Sequence, residues 1–286
     1  GGGALDVSAI ETDGQRTVIE LSLGGFHALP VEIDGESYHH IFLGSESRSL
    51  EAGLPALPDV CRSVLIPGDR ALRRRTRLPL EEFVDLPNMP VAPSKGNLLR
   101  TVDPASVPYT FDPFYQSDDA YPAQVAEGRE PYILRDYRGM VVDLNVFQYM
   151  PAQQTLRVYT HLVVEVVPAG PARINPLNAA EPATIDPQFH KLYGEHFLNY
   201  ANTRYDPVLE EGGLLIITYD GFYDAMVPLY EWKLQRGLPT ELVTISETGS
   251  STTQIKDFIN NAFLTQGIAS VLLVGDAAQI PTFSHS

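Results

Sequence analysis

The chain has one cysteine, Cys61, one tryptophan, Trp232, and only 20 Lys and Arg residues against 36 Asp and Glu. Each scarcity excludes something. A single thiol can form neither an internal disulfide nor a cysteine metal cluster, so the fold must rest on its hydrophobic core. The formal net charge of −16 leaves no basic surplus to neutralise phosphates, which argues against a nucleic-acid partner. The one concentrated basic stretch, Arg73-Arg74-Arg75 with Arg77, falls in a strand-like segment and reads as a solvated face. No apolar run reaches the roughly 18 residues that a membrane-spanning helix needs. The opening GGGALDVSAI has neither the basic nor the apolar region of a signal peptide. The expectation is therefore a cytosolic protein, or a secreted one whose signal peptide has been removed.

What is present suits a folded protein of two domains. The 286 residues exceed a usual single domain, and 44% are hydrophobic. Residues 1 to about 200 read as mostly strands. TVIELSL, YHHIFLG, RSVLIP, MVVDLNVFQY and TLRVYTHLVVEVV are rich in β-branched and aromatic residues, several with period two. In the last, Leu156, Val158, Thr160, Leu162 and Val164 share one face, opposite Arg157, Tyr159, His161 and Val163. A long Pro-containing connection covers residues 86 to 131. The pattern predicts an antiparallel sheet or sandwich with one decorated excursion. Phe189, Leu192, Tyr193, His196, Phe197 and Tyr200 then recur at helical spacing, as an amphipathic helix closing the first domain.

From Leu214 the pattern changes. LLIITYD reads as a strand buried on both faces. A helix follows, with Ala225, Met226, Leu229 and Trp232 as its apolar stripe, Pro228 as a conflict within it and Gly237 as its stop. TELVTI is a second strand. SSTTQIKDFINNAFLTQG is a second helix, with capping-box spacing from Ser251 to Gln254 and a Gly267 stop. SVLLVGD is a third buried strand. Strand, helix, strand, helix, strand with short links predicts a parallel, doubly wound α/β sheet.

The chemistry is sparse. The strand tips carry Asp220 and Asp276, where α/β proteins bind ligands, but TYDGFYD lacks the glycine-rich turn a phosphate needs. Binding a hard cation is the alternative use of such carboxylates, and turn formation with capping is the favoured account of both acids. Cys61 sits in a strand-like run with no base to activate it and is expected to be buried and inert. His39 and His40 are adjacent, so on a strand they face opposite sides and cannot hold one metal together. No catalytic residue set and no metal site can be assembled from spacing.

GLPALPDVCRSVLIPGD (53–69), VDPASVPYTFD (102–112), PYILRDYRGMVVDLNVFQYMPAQQTLRVYTHLVVEV (131–166), YEWKLQRGLPTELVTI (230–245) and IASVLLVGDAAQIPT (268–282) stand in order along the sequence. Together they resemble the gingipain family of secreted cysteine peptidases, family C25. The resemblance departs at Met150, where the family more often has Asn before the proline. It implies an antiparallel β-sandwich prodomain over 1–204, inhibiting the catalytic domain and assisting its folding. It further implies that 205–286 is the first βαβαβ part of a doubly wound, caspase-like catalytic domain, incomplete in this sequence. TRYDPV then looks like the maturation junction, cut between Arg204 and Tyr205. Pro207 keeps that segment extended, and Gly212-Gly213 give slack before the sheet.

The family's catalytic His and Cys lie on later strands, so the resemblance leaves these 286 residues without a catalytic residue and Cys61 in the prodomain. It implies no cofactor for catalysis, calcium as a candidate ion of the catalytic domain, a secreted location, and protein or peptide substrates for the full enzyme. A prodomain–catalytic domain contact is implied as well. Inhibition would come from a basic residue imitating substrate, presented by the long connection. Lys95, flanked by turn residues in PSKGN, is the first candidate and Arg100 the second. The rival reading is a non-enzymatic secreted β-sandwich module with an α/β appendage, used for binding or assembly. A receiver-like phosphoacceptor is weaker still, because the further acids and the lysine it needs are absent.

Overall fold

The computed structural model describes residues 5–12, 16–77, 82–178, 184–202, 208–209 and 211–282. The protein divides into two compact units, residues 1–181 with 193–205, and residues 182–192 with 206–286.

The first unit is built of antiparallel strands. In sequence order they are β1 (Leu5–Thr12), β2 (Thr17–Leu23), β3 (His27–Ile33), β4 (Glu36–Phe42), β5 (Ser47–Arg48), β6 (Pro58–Leu65) and β7 (Arg70–Arg77). These are followed by β8 (Phe83–Leu86), β9 (Ala126–Gly128), β10 (Tyr132–Leu134), β11 (Tyr137–Leu144), β12 (Phe147–Met150), β13 (Thr155–Tyr159) and β14 (His161–Pro171). They form sheets in the orders β1-β2-β14-β7, β10-β11-β6-β5 with β9 on β11, and β12-β13-β8, with β3-β4 as a hairpin. The inward residues of these sheets meet in one core. Ile19 and Leu21 of β2, Val60 and Val64 of β6, Val142 and Leu144 of β11, and Leu162 and Val164 of β14 all belong to it. Period-two alternation put them there, since every second side chain of a strand faces the same way.

Two segments expected as single strands each become two. MVVDLNVFQY breaks between β11 and β12, where the Asn145 N–H donates to Val125 O at 2.8 Å and its side chain to Gln124 O at 2.7 Å. TLRVYTHLVVEVV breaks at Thr160, which is exposed rather than on the shared inner face. There the backbone leaves one sheet for another, and Thr160 N–H and Oγ1 both turn to Glu82 O. Alternation holds on either side of each break, so the sequence pattern could not reveal the change of sheet.

The C-terminal part of the unit is clipped by polar and aromatic contacts. Asn199 is buried and donates to Leu65 O at 3.1 Å and Thr17 Oγ1 at 3.0 Å, while its Oδ1 accepts from Leu65 N–H at 2.7 Å. Tyr193, Phe197 and Tyr200 are buried around β10 and β11. Gly139 makes this possible, because a Cβ there would lie 2.6 Å from the Phe197 ring and 2.7 Å from Tyr132. Arg138, 2% exposed, donates to the carbonyls of Asn175, Pro67, Arg70 and Ile174 at 2.7–2.9 Å.

The second unit opens with β15 (Thr184–Ile185) and the start of α1 (Pro187–His196), within which the division between units falls. The expected helix thus stops at His196. Of its predicted apolar face, Tyr193 is buried and Leu192 is 41% exposed. Next come β16 (Val208–Leu209), parallel to β15, β17 (Gly213–Thr218), α2 (Tyr223–Gln235), β18 (Thr240–Thr244), α3 (Ile245–Thr248), α4 (Thr252–Gln266) and β19 (Ile268–Val274). Both neighbours of β17 run parallel to it, in the order β18-β17-β19. Leu215 and Ile217 pack with Val243, Ile255, Ala262, Ile268 and Ile280. Helix α4 has the predicted Ser251–Gln254 capping box and ends at Gly267 in the left-handed conformation, φ 67°.

One expectation for this unit is corrected. The segment SVLLVGD is not a buried strand: Val271, Leu272 and Leu273 of β19 are 38%, 37% and 48% exposed. Strand β19 lies at the edge of the sheet, paired only with β17 among the described strands. The stripe on α2 is not buried either, with Trp232 at 46%. Pro228 lies in the second turn of α2 without ending it.

Candidate functional site

The connection from β8 to β9 is where the sequence places a substrate-imitating residue. Most of it is fastened down. Ala92 N–H donates to His39 O, Ala56 N–H to Ala92 O and Ser94 N–H to Leu54 O at 2.8–3.0 Å. Further along, Tyr115 Oη donates to Val91 O at 2.9 Å, and its ring meets those of Phe111 and Tyr149.

Lys95 does not project. Its Nζ donates to Pro104 O at 2.7 Å and stands 4.2 Å above the centre of the Tyr109 ring. The backbone folds back at Gly96, φ 80°, and residues further along the connection, Pro104 and Tyr109, come within reach of the ammonium. Arg100 is the better-presented cation. It is exposed within a turn closed by Val102 N–H on Leu99 O at 2.9 Å, beside Leu99, which is 74% exposed. Turn residues around a lysine signal a bend, but not which way the side chain faces.

Arg129, the cation just after β9, is engaged with the thiol. Register pairs Cys61 of β6 with Asp143 of β11, and Asp143 with Glu127 of β9. Cys61 Sγ donates to Asp143 Oδ1 at 3.0 Å, and Arg129 Nε donates to Asp143 Oδ2 at 2.9 Å. Arg129 Nη2 also reaches Cys61 Sγ at 3.4 Å. Cys61 is half-buried rather than buried, because its side of β6 lines a surface groove with Asp59, Glu127 and Asp143. Burial first, then the Asp143 hydrogen bond and charge, push its thiol up to about 12. A thiol held protonated next to a carboxylate is a poor nucleophile. This arrangement is structural chemistry, not catalysis.

The strand tips of the second unit carry turns. Asp276 Oδ1 accepts from Ala278 N–H at 2.8 Å, and its carbonyl accepts from Gln279 and Ile280. Asp220 is fully exposed at the start of a short 3-10 turn, with hydrogen bonding to Ser246 first among the causes that hold its carboxyl below the usual range. Among the described residues no group of three or more His, Cys, Asp or Glu is placed to hold a metal ion. No helix among them is long and apolar enough to cross a membrane. Arg204 and Tyr205 lie outside the described residues, as do the side chains of Arg73, Arg74, Arg75 and Arg77.

Sequence reasoning missed one cluster altogether. His40, Arg48, Lys95 and Tyr109 come together from β4, β5 and the long connection to line a pocket of about 620 Å³. Their separation in sequence hid it. The separate presence of Arg48 before the turn and His40 on a strand was the only signal available.

Comparison with known proteins places these features. The Propeptide_C25 family matches residues 2–203, and Peptidase family C25 matches residues 209–286. The chain is 34% identical over 237 residues to Gingipain R2 of Porphyromonas gingivalis (strain ATCC BAA-308 / W83), covering 81% of this chain and 32% of that protein. To Gingipain R1 of Porphyromonas gingivalis it is 33% identical over 237 residues, covering 81% of this chain and 23% of that protein. It therefore spans about a third or less of the length of these relatives. Among solved structures it resembles the complex of Porphyromonas gingivalis RgpB pro- and mature domains. There the TM-score is 0.62 and the identity 27%, over 69% of this chain and 97% of that one. Propeptide and peptidase matches in tandem set aside the reading as a binding module. The chain belongs to the C25 family of cysteine peptidases, with its propeptide and the start of its peptidase domain.

Proposed function

We propose that residues 1–204 are the inhibitory, folding-assisting prodomain of a secreted cysteine endopeptidase, and that residues 205–286 begin its catalytic domain. One observation carries the reading. The propeptide match ends at residue 203 and the peptidase match begins at 209, so the interval between them holds Arg204 and Tyr205. Cleavage of that bond frees Tyr205 as the first residue of the mature enzyme. In finer terms, the antiparallel sheets of the first unit make a β-sandwich, and the β18-β17-β19 sheet opens a doubly wound, caspase-like domain. The prodomain contacts the catalytic domain within one molecule, and proteins or peptides are the substrates of the full enzyme. Calcium belongs to the catalytic domain on family resemblance, with no cofactor needed for the chemistry.

Exposure favours Arg100 over Lys95 as the residue that occupies the specificity pocket of the peptidase. The experiment has two parts. The full precursor is allowed to mature and its new N-terminus is sequenced, with Arg204→Ala as the blocked form. Residues 1–204 are then titrated against the mature enzyme, with Arg100→Ala and Lys95→Ala beside the parent. Expected are Tyr205 at the new N-terminus and at least about tenfold weaker inhibition for Arg100→Ala, about 1.4 kcal/mol. A mature enzyme starting elsewhere removes the junction, and unchanged inhibition by Arg100→Ala removes the substrate mimic.

A further inference from the structure

The pocket formed by His40, Arg48, Lys95 and Tyr109 has a surplus of hydrogen-bond donors. Arg48 Nη1 donates to His40 Nδ1 at 3.2 Å, and the guanidinium stacks on Phe42 at 4.4 Å from the ring centre. An imidazole whose Nδ1 accepts carries its proton on Nε2. That proton is donated to Tyr109 Oη at 3.1 Å. The relay therefore ends on a phenol whose own O–H is left to donate onward. Lys95 Nζ adds further N–H groups, one of them used on Pro104 O. Burial lowers the pKa of His40, and Arg48 and Lys95 lower it further, which keeps the ring neutral and able to accept.

The acceptor that should complete this set is missing. Arg62, Arg129 and Arg157 each have a carboxylate at 2.7–2.9 Å. Among the described residues Arg48 and Lys95 have none within ion-pair distance. In a protein with net charge −16, two neighbouring cations left without an acid are conspicuous. The remaining wall mixes small polar residues, Ser47, Ser49, Ser94 and Asn97, with apolar ones, including Leu50, which is 60% exposed, and Ala56.

We propose that this pocket binds the carboxylate of a peptide segment, either an Asp or Glu side group or a free terminal carboxylate, with an adjacent apolar side chain against Leu50. The Arg48 fork and the Lys95 ammonium take the carboxylate oxygens, and the Tyr109 hydroxyl gives a third donor. A wall of a few aliphatic side chains on an open pocket suits one residue, not a fatty acyl tail. Lys95 then serves this pocket instead of a peptidase cleft, which is consistent with its anchoring.

The test uses all 286 residues, with binding followed by calorimetry and by the NMR shifts of the His40 ring. The probes are acetyl-Leu-Glu-amide, acetyl-Leu-Leu with its terminal carboxylate free, neutral acetyl-Leu-Gln-amide, inorganic phosphate and decanoate. At least one of the two acidic peptides is expected to bind about tenfold tighter than the neutral one, and which of them does so identifies the source of the carboxylate. Arg48→Gln and Lys95→Gln should each weaken binding at least about fivefold, with Arg157→Gln, outside the pocket, as an unaffected control. Should Arg48→Gln not fold, the parent still decides: binding must weaken as salt rises from about 0.05 to 0.5 M. Failure of both acidic peptides to bind tighter than the Gln peptide, or no saturable binding of either, overturns the proposal. So does tighter binding of phosphate or decanoate than of both peptides.

Discussion

The two units use similar strand sequences and reach different degrees of burial. In the first, Leu162 and Val164 of β14 are fully buried, because β14 has β2 and β7 on its two sides and a shared core beneath. In the second, β19 carries Val271, Leu272 and Leu273 in an equally apolar run, yet all three are more than a third exposed. In the same unit β17, flanked on both sides, is as buried as β14, with Leu215, Ile216 and Ile217 at 0%. Apolar content makes a strand. Burial requires neighbours that the strand's own sequence does not specify.

The largest effect that would break this comparison lies in the first unit. Arg138→Met should destabilise it by about 3–5 kcal/mol, because four carbonyls lose their donor at once around a buried side chain. Arg138→Lys should recover only part, since an ammonium lacks the planar fork that reaches all four. Urea unfolding of the first unit measures both. A loss under about 1 kcal/mol would mean that water replaces the guanidinium without cost.

Next in size is a contrast inside the second unit. Leu215→Ala in the central strand should cost about 2–4 kcal/mol, and Leu273→Ala on β19 about 0.5 kcal/mol or less. Equal losses in thermal unfolding would show that the exposed face of β19 is covered in solution.

The smallest effect is electrostatic. His161 Nε2 meets Glu20 Oε1 at 2.7 Å, and Nδ1 meets Glu82 Oε2. Arg77 is the register partner of Val163, and Arg16 pairs with Glu165 at 3.0 Å. The Glu20 hydrogen bond first, and that to Glu82 with it, raise the His161 pKa against the opposing pull of burial. A raised folded-state pKa stabilises below the unfolded value of about 6.5 and is lost as pH climbs through the folded value. The first unit should therefore lose about 1 kcal/mol or less as pH rises through and above about 6.5, since all three side chains are partly exposed. His161→Gln should flatten that slope. A slope unchanged in the variant would assign it to other groups.

Local sequence settled the classes of structure and much of the fine detail. Alternation placed Leu156, Val158, Leu162 and Val164 on the buried face, because period two is a property of the strand alone, and failed only at Thr160 where the chain changes sheet. The capping box at Ser251 and the stop at Gly267 were legible for a similar reason: each is settled among near neighbours in sequence. The order of the motifs carried the family. Long-range packing fixed the rest. It set where a continuous apolar run changes sheet at Thr160, and which strands receive cover. It turned Lys95 inward onto Pro104 and left Arg100 outside. It assembled the donor pocket from residues as far apart as His40 and Tyr109, and caged Arg138 with carbonyls from residues 67 to 175. Each of these depends on contacts between distant segments. Their energies are set by geometry that local propensity does not encode.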